Sequence, residues 1–419
     1  MPFVTAPSSA ATRRTFDGGA VAVATSVMNV ATYGYTMVTA RLVGPKEYGA
    51  FVACLGLTLV VQVVAYGLQA AAARRIAVDG ANVAAIERVV LALGAKVSVL
   101  VGVVLLAASP LVGLLLNLDD PVLAALVGLA AVPLTFAGAQ AGVLQGEKRW
   151  GALAAFYLAS GLPRLVIGTG IVVWRPDATS AFLGVVVGLC FPVAAGWWVL
   201  RGRRTGPTPP DTEHSARAVL VEAAHNMQAL LAFYALSSVD IILARQVLTE
   251  HDAGLYAAGL IVTKVMLFLP QFVVVLAFPD MATADGRNRA LVRSLAVVGG
   301  VGVVAVAGAK VLSGVAMVFV GGERFAEVEG SLWVFAVLGT VLAMLQLQVY
   351  AAIARQGRRA VVLVWAALVV AVLVGLRATT LVELVATVAA VDAVLLLALG
   401  LLGSWAGRRT ATTATVPVR

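Results

Sequence analysis

Arg164, Lys264 and Asp392 each stand near the middle of an apolar run long enough to cross a bilayer. A charge at that depth costs roughly 2.5–3.5 kcal/mol on insertion scales, so each needs a partner, water or a ligand to offset it. Lys264 and Asp392 lie in the same half of the chain and can pair with each other. Arg164 has no acid at comparable depth in its own half. That leaves it water, carbonyls freed by a kink at Pro163, an acid of the other half, or an anionic ligand. Guanidinium and ammonium groups both bind phosphate, so Arg164 and Lys264 are expected to supply positive potential for a phosphate-bearing substrate. Glu222 and His225, one turn apart, can carry a proton, because histidine titrates near physiological pH. A helix-dipole acid beside a histidine at the membrane surface is the plainer account of that pair. Lys96 and Lys310 lie toward the ends of their runs and can snorkel to water.

Uncharged polar residues add a second pattern, since a helix lining an aqueous path carries them on one face. Thr25, Asn29, Tyr33 and Thr36 step along one helix, and Thr58, Gln62, Tyr66 and Gln69 along the next. Glu222, His225 and Asn226 share a face of a third, and Tyr256, Leu260, Lys264, Leu267 and Gln271 form a stripe on a fourth. One such stripe is explained by hydrogen bonding between helices; four in equivalent positions point to a cavity. The cavity residues expected are Asn29, Tyr33, Gln62, Gln69, Arg164, Lys264 and Gln271, with Glu222, His225 and Asp392 as the candidates for ion coupling. Val361 to Leu376 carries only the Trp365 indole as a polar group, so that run is expected to face lipid.

The elements that must hold these residues follow from composition. The chain has 419 residues, 61% hydrophobic and 12% charged, with a mean hydropathy of +0.97. A soluble protein carries about a quarter of its residues as charges, so this is an integral membrane protein. Apolar runs between polar punctuation predict twelve spans, at about 17–40, 48–73, 89–109, 121–143, 151–174, 179–200, 218–243, 252–278, 293–314, 331–353, 360–376 and 380–403. The first is expected to be a retained helix: it is longer than a signal h-region and carries Asn29, Tyr33 and Tyr35. With the N-terminus inside, twenty of the 30 Lys and Arg fall in inner segments, six in outer ones and four within spans. That bias places both termini in the cytoplasm and accounts for the net +9 without nucleic acid. Cys54 and Cys190 both lie inside apolar runs, so neither a disulfide nor a metal site is expected.

A basic, proline-rich stretch, Arg201 to Arg217, cannot be helical through Pro207, Pro209 and Pro210. It divides the chain into a tail at 1–16, a six-helix lobe at 17–200, a linker at 201–217, a second six-helix lobe at 218–403 and a tail at 404–419. Ala40-Arg41 followed by Gly49-Ala50-Phe51 is echoed by Ala244-Arg245 followed by Gly254-Leu255-Tyr256. Six spans return the chain to its starting side, so the repeat is parallel, the pattern of a transporter with a path between two bundles.

Arg41-Leu42-Val43-Gly44-Pro45-Lys46-Glu47-Tyr48-Gly49-Ala50-Phe51, then Gly67-Leu68-Gln69 and Arg74-Arg75, resemble the signature region of bacterial polysaccharide biosynthesis proteins of the lipid-linked oligosaccharide flippase type. Gln145 to Trp150, Val239 to Arg245, Gly254-Leu255-Tyr256 and Phe278-Pro279 resemble further segments of that family. The family belongs to the multidrug, oligosaccharidyl-lipid and polysaccharide exporter superfamily. The resemblance implies an all-α polytopic membrane protein, two six-helix lobes about a central cavity lined by helices one, two, seven and eight. It also implies a substrate of undecaprenyl pyrophosphate carrying a sugar repeat unit, turned across the bacterial cytoplasmic membrane by alternating access. A polysaccharide polymerase and glycosyltransferases are the protein partners it implies. Relatives that handle the peptidoglycan precursor have two more helices, which this chain lacks.

Three alternatives bear on this reading. A multidrug or cation antiporter of the same superfamily shares the architecture but is expected to carry a mid-depth acid in its first helix, where this chain has only Asp17 near one end. A major facilitator is disfavoured by the loop Arg74 to Gly80, which lacks that group's Gly and Asp-Arg pattern. A membrane enzyme that polymerises lipid-linked sugars needs a long outer loop with catalytic acids or a metal; the longest outer segments here, Pro110 to Asp120 and Gly321 to Gly330, are short, and Asp119-Asp120 reads as a solvated turn. No nucleophile elbow, phosphate loop or metal cluster is present in the sequence, so neither a cofactor nor enzymatic chemistry is expected.

Overall fold

Long apolar sequence in which every backbone polar group must be satisfied locally forms helices, and every element described here is helical. A computed structural model describes residues 9–79, 82–201, 216–267, 287–320, 322–354 and 358–413. The elements are α1 (Ser9–Leu42), α2 (Pro45–Val78), α3 (Val83–Ala107), α4 (Ser109–Leu115), α5 (Pro121–Gly146), α6 (Trp150–Pro163), α7 (Thr169–Trp174), α8 (Ala178–Leu200), α9 (Ala216–Val247) and α10 (Glu250–Met266). They continue with α11 (Arg287–Val311), α12 (Ser313–Val320), α13 (Leu332–Ala354), α14 (Arg358–Gly375) and α15 (Leu381–Thr413). A π-helical turn, Arg164–Gly168, joins α6 to α7, and a 3-10 segment, Gly322–Ser331, precedes α13.

Among the described residues, nine helices are long and apolar enough to cross a membrane. They coincide with nine of the expected spans; α14, the eleventh, is shorter. The first expected span lies in α1, and the eighth runs past residue 267 and so beyond the described residues. On α14, Val362, Val369 and Leu373 are exposed while Val364 and Ala371 are buried, as suits a helix with one face to lipid. The two outer segments that read as short loops are built around helical turns, α4 and the 3-10 segment.

Helix starts are chemically marked. Asp120 caps α5, accepting from Val122 N at 2.9 Å, with Pro121 opening the helix. Its other oxygen accepts from Thr179 Oγ1 at 2.6 Å, so Asp120 ties the α5 start to that of α8 and is more than a solvated turn. Asp177 caps α8 through Ser180 N, and Thr249 with Asp252 forms a reciprocal cap on α10. Asp120→Ala should lower thermal stability in detergent by about 1 kcal/mol, and Asp120→Asn by less, since the amide oxygen still caps.

The chain packs as two units. One contains Met1–Leu42, Val61–Leu114 and Leu118–Met227; its core includes Ile86, Val90, Leu144, Leu153, Phe156 and Leu200. Along α5, Gly138, Gly142 and Gly146 recur every four residues and face α2. A Cβ at Gly138 would fall 2.6 Å from Ala65 Cα, one at Gly142 2.6 Å from Gln69 O, and one at Gly146 2.8 Å from Ile76 Cβ. Small residues at this spacing let two backbones touch where lipid gives no hydrophobic push.

The second unit contains Val43–Val60, Leu115–Asn117 and Gln228–Arg419. Phe335 of α13 stacks edge-on against Tyr256 of α10, ring centroids 5.2 Å apart. Here the two echoed glycines meet: a Cβ at Gly49 would lie 3.1 Å from Gly254 Cα. Beside them Lys46 pairs with Glu250 at 2.8 Å and Tyr48 packs on Phe325.

Candidate functional site

In the first unit Arg164 opens the π-helical turn. Pro163 removes a backbone donor and clashes with the preceding turn, which kinks the helix, and the chain continues there as a widened stretch of the kind often found at functional positions. Glycines hold this stretch in place. A Cβ at Gly188 of α8 would fall 2.7 Å from Arg164 Cβ; Gly168 and Gly184 leave room for the Tyr35 ring, whose hydroxyl donates to Ala181 O at 2.6 Å. Among the described residues, Arg164 Nε is buried with no hydrogen-bond partner, and the titratable group within its electrostatic reach is the Tyr35 phenol, not a carboxylate.

Seven residues back on the same face of α6, Tyr157 accepts from Gln69 Nε2 at 3.3 Å; the same amide donates to Gln145 Oε1 at 2.9 Å. The expected Gln69 thus sits in an amide and phenol cluster with Gln145 and Tyr157, two residues the sequence stripes did not single out. Their signal was there: Tyr157 and Arg164, seven apart, share one helical face. Asn29, Tyr33 and Gln62 are half-buried, and Tyr33 lies within electrostatic reach of Tyr66.

In the second unit α9, α10 and α15 bring together Asp240, Tyr256, Lys264 and Asp392. Lys264 Nζ donates to Ser237 O at 2.7 Å, and Tyr256 OH donates to Asp240 Oδ2 at 3.4 Å. The charges of Asp240 and Asp392 both act on Lys264. Asp392 is 0% exposed, and neither of its oxygens has a hydrogen-bond partner among the described residues. Asp240, 1% exposed, was visible only as part of a sequence motif; its place beside the lysine emerges when α9 and α10 are packed. Among the described residues, therefore, Lys264 has acids around it and Arg164 has none. Gln271, and the side chains of Glu222 and His225, lie outside the described residues.

Helices of this number and apolar character, carrying buried charges within the spans, define a multi-pass α-helical membrane protein. The chain superposes on the inward-facing conformation of a multidrug resistance MATE family transporter of the MOP superfamily with a TM-score of 0.71 at 16% identity, covering 94% of this chain and 96% of that one. It also matches the eukaryotic MATE transporter AtDTX14 (TM-score 0.59, 12% identity, 93% and 96% covered). A MOP superfamily transporter from Pyrococcus furiosus, described as having a binding pocket of reverse polarity, matches with a TM-score of 0.57 at 15% identity, 95% and 96% covered. No curated protein sequence matches significantly. The model of the polysaccharide biosynthesis protein family matches residues 17–283, and the chain belongs to that family. It is an all-α, multi-pass membrane protein of that family, with the fold of the MATE transporters of the MOP superfamily.

Proposed function

We propose that the chain flips undecaprenyl-pyrophosphate-linked oligosaccharide repeat units across the bacterial cytoplasmic membrane, for cell-surface polysaccharide synthesis. The observation that carries this reading is Arg164: a guanidinium at membrane depth, pinned at a π turn, with a buried nitrogen that no group among the described residues satisfies. Such a group is costly unless something else completes it, and a pyrophosphate offers the charge and geometry it lacks. Asn29, Tyr33, Gln62 and Gln69 supply the uncharged polar lining for the sugars, and Gln271 extends it. Lys264 adds positive potential within a cluster whose acids balance it. Asp392 is the coupling residue of this reading, with Glu222 and His225 as further candidates.

The cation bias of the loops supports two cytoplasmic termini, and the proline-rich linker supports lobes at 17–200 and 218–403. Polymerase and glycosyltransferase partners complete the proposal. A multidrug or cation antiporter is the second reading, favoured by the acids Asp240 and Asp392 in unit two.

Proteoliposomes holding a fluorescent undecaprenyl-pyrophosphate oligosaccharide separate the two. Wild-type protein should exchange the lipid between leaflets, and Arg164→Gln should slow that exchange by about 10- to 100-fold, the loss of a charge-assisted hydrogen bond or two. Arg164→Lys should recover part of it. No exchange by the wild type, together with export of an organic cation under a proton or sodium gradient, would establish the antiporter instead.

A further inference from the structure

Counting charge in the α9–α10–α15 cluster leaves a deficit. Among the described residues, Asp240 and Asp392, both buried, contribute two negative charges and the half-buried Lys264 one positive, all within spans. Among the described residues the neighbouring elements do not correct it: α13 presents Trp333, Thr340, Gln346 and Gln348 as polar side chains and no charge, and α14 carries its charged residues, Arg358 and Arg359, at its first turn. Tyr256 and Ser237 are already engaged, with Asp240 and Lys264 respectively. The unmet group is Asp392, which feels the charge of Lys264 but whose two oxygens have no hydrogen-bond partner among the described residues.

We infer that Asp392 is the seat of one exchangeable proton, and that Lys264 is the residue that makes this cluster take a proton and not a sodium ion. This deepens the reading of Asp392 as the coupling residue. A sodium ion between the two acids needs several oxygens turned toward it and an unopposed negative field. The ammonium of Lys264, anchored on Ser237 O one turn from Asp240, already stands in that field and repels a second cation. A proton needs only one Asp392 oxygen. On binding, an O–H bond forms, the proton comes from water, and the cluster goes from one net negative charge to none; on release the steps reverse. Tyr256, donating to Asp240, keeps that carboxylate as the partner of Lys264 and leaves Asp392 to the proton.

The test uses the purified full chain in detergent and no lipid-linked sugar, so its failure leaves the flipping reading standing, and failed flipping leaves it standing in turn. Infrared difference spectra across a pH step should show the carbonyl stretch of a protonated carboxyl in the wild type, lost in Asp392→Asn. Melting in sodium against choline at equal ionic strength should show no sodium effect in the wild type. In Lys264→Gln, which leaves two acids without a counter-charge, sodium should raise Tm by about 3 °C or more, an effect lost again when Asp392→Asn is added. A wild type stabilised by sodium through Asp392 would overturn the inference, as would the absence of the carboxyl band. Should Lys264→Gln fail to fold, the wild-type spectra and the wild-type sodium titration decide alone.

Discussion

Gly138→Val should lower the stability of the protein by about 1–3 kcal/mol or more, read as a fall of several degrees in Tm in detergent. The reason is that Gly138 faces backbone and not a side chain. Its Cβ would fall 2.6 Å from Ala65 Cα and 2.7 Å from Ala65 C, so no rotamer change can make room and α2 must move bodily. Gly142 and Gly146 continue the same seam against Gln69 and Ala73, so a shift at Gly138 also disturbs the Gln69–Tyr157 contact. The control is built into the molecule. Gly113 and Gly170 have nothing within 4 Å of a new Cβ, and alanine there should leave Tm unchanged or raise it slightly. Equal losses at Gly138 and Gly113 would show that the effect belongs to glycine in a helix and not to the seam.

How much of this was legible beforehand differs by residue, and the differences have physical causes. Hydropathy shows the spans because lipid demands apolar length from each helix independently. It cannot show the seam: Gly138, Gly142 and Gly146 stand at plain four-residue spacing, but a glycine looks like a weak helix former until Ala65, Gln69 and Ala73 are set opposite. Arg164, Lys264 and Asp392 were legible as charges in the wrong solvent. What separates them is tertiary, since only the packing of α9, α10 and α15 gives Lys264 its acids, while among the described residues α1 and α8 bring none to Arg164. Pro163 announced a kink, yet a π turn at Arg164–Gly168 depends on how α6 resumes as α7, which no local propensity encodes. The asymmetry matters for function. A compensated lysine contributes little net attraction to an anion, whereas an uncompensated arginine contributes its full charge, which makes Arg164 the sharper probe of substrate chemistry.

Arg245→Ala should cost about 2–4 kcal/mol, the loss of two charge-assisted hydrogen bonds from a buried guanidinium. By sequence Arg245 belonged with the loop cations; in the structure α9 continues to Val247, so the residue sits in a last helical turn and is buried. Its Nε donates to Leu116 O at 2.8 Å and its Nη2 to Asn117 O, while Gln246 Nε2 donates to Leu115 O at 2.6 Å. Three consecutive carbonyls at and just past the end of α4 are thereby held, at a turn where Asn117 takes a left-handed φ of 48° and leaves the helical hydrogen-bond pattern. A planar fork can serve two carbonyls at once and an ammonium cannot, so Arg245→Lys should recover half of the loss or less. Thermal unfolding gives the magnitude. Limited proteolysis locates it, because in Arg245→Ala the segment Leu115–Asn117 loses its anchor and should be cut first, whereas cleavage elsewhere would mean that Arg245 stabilises α9 itself and not the turn it holds.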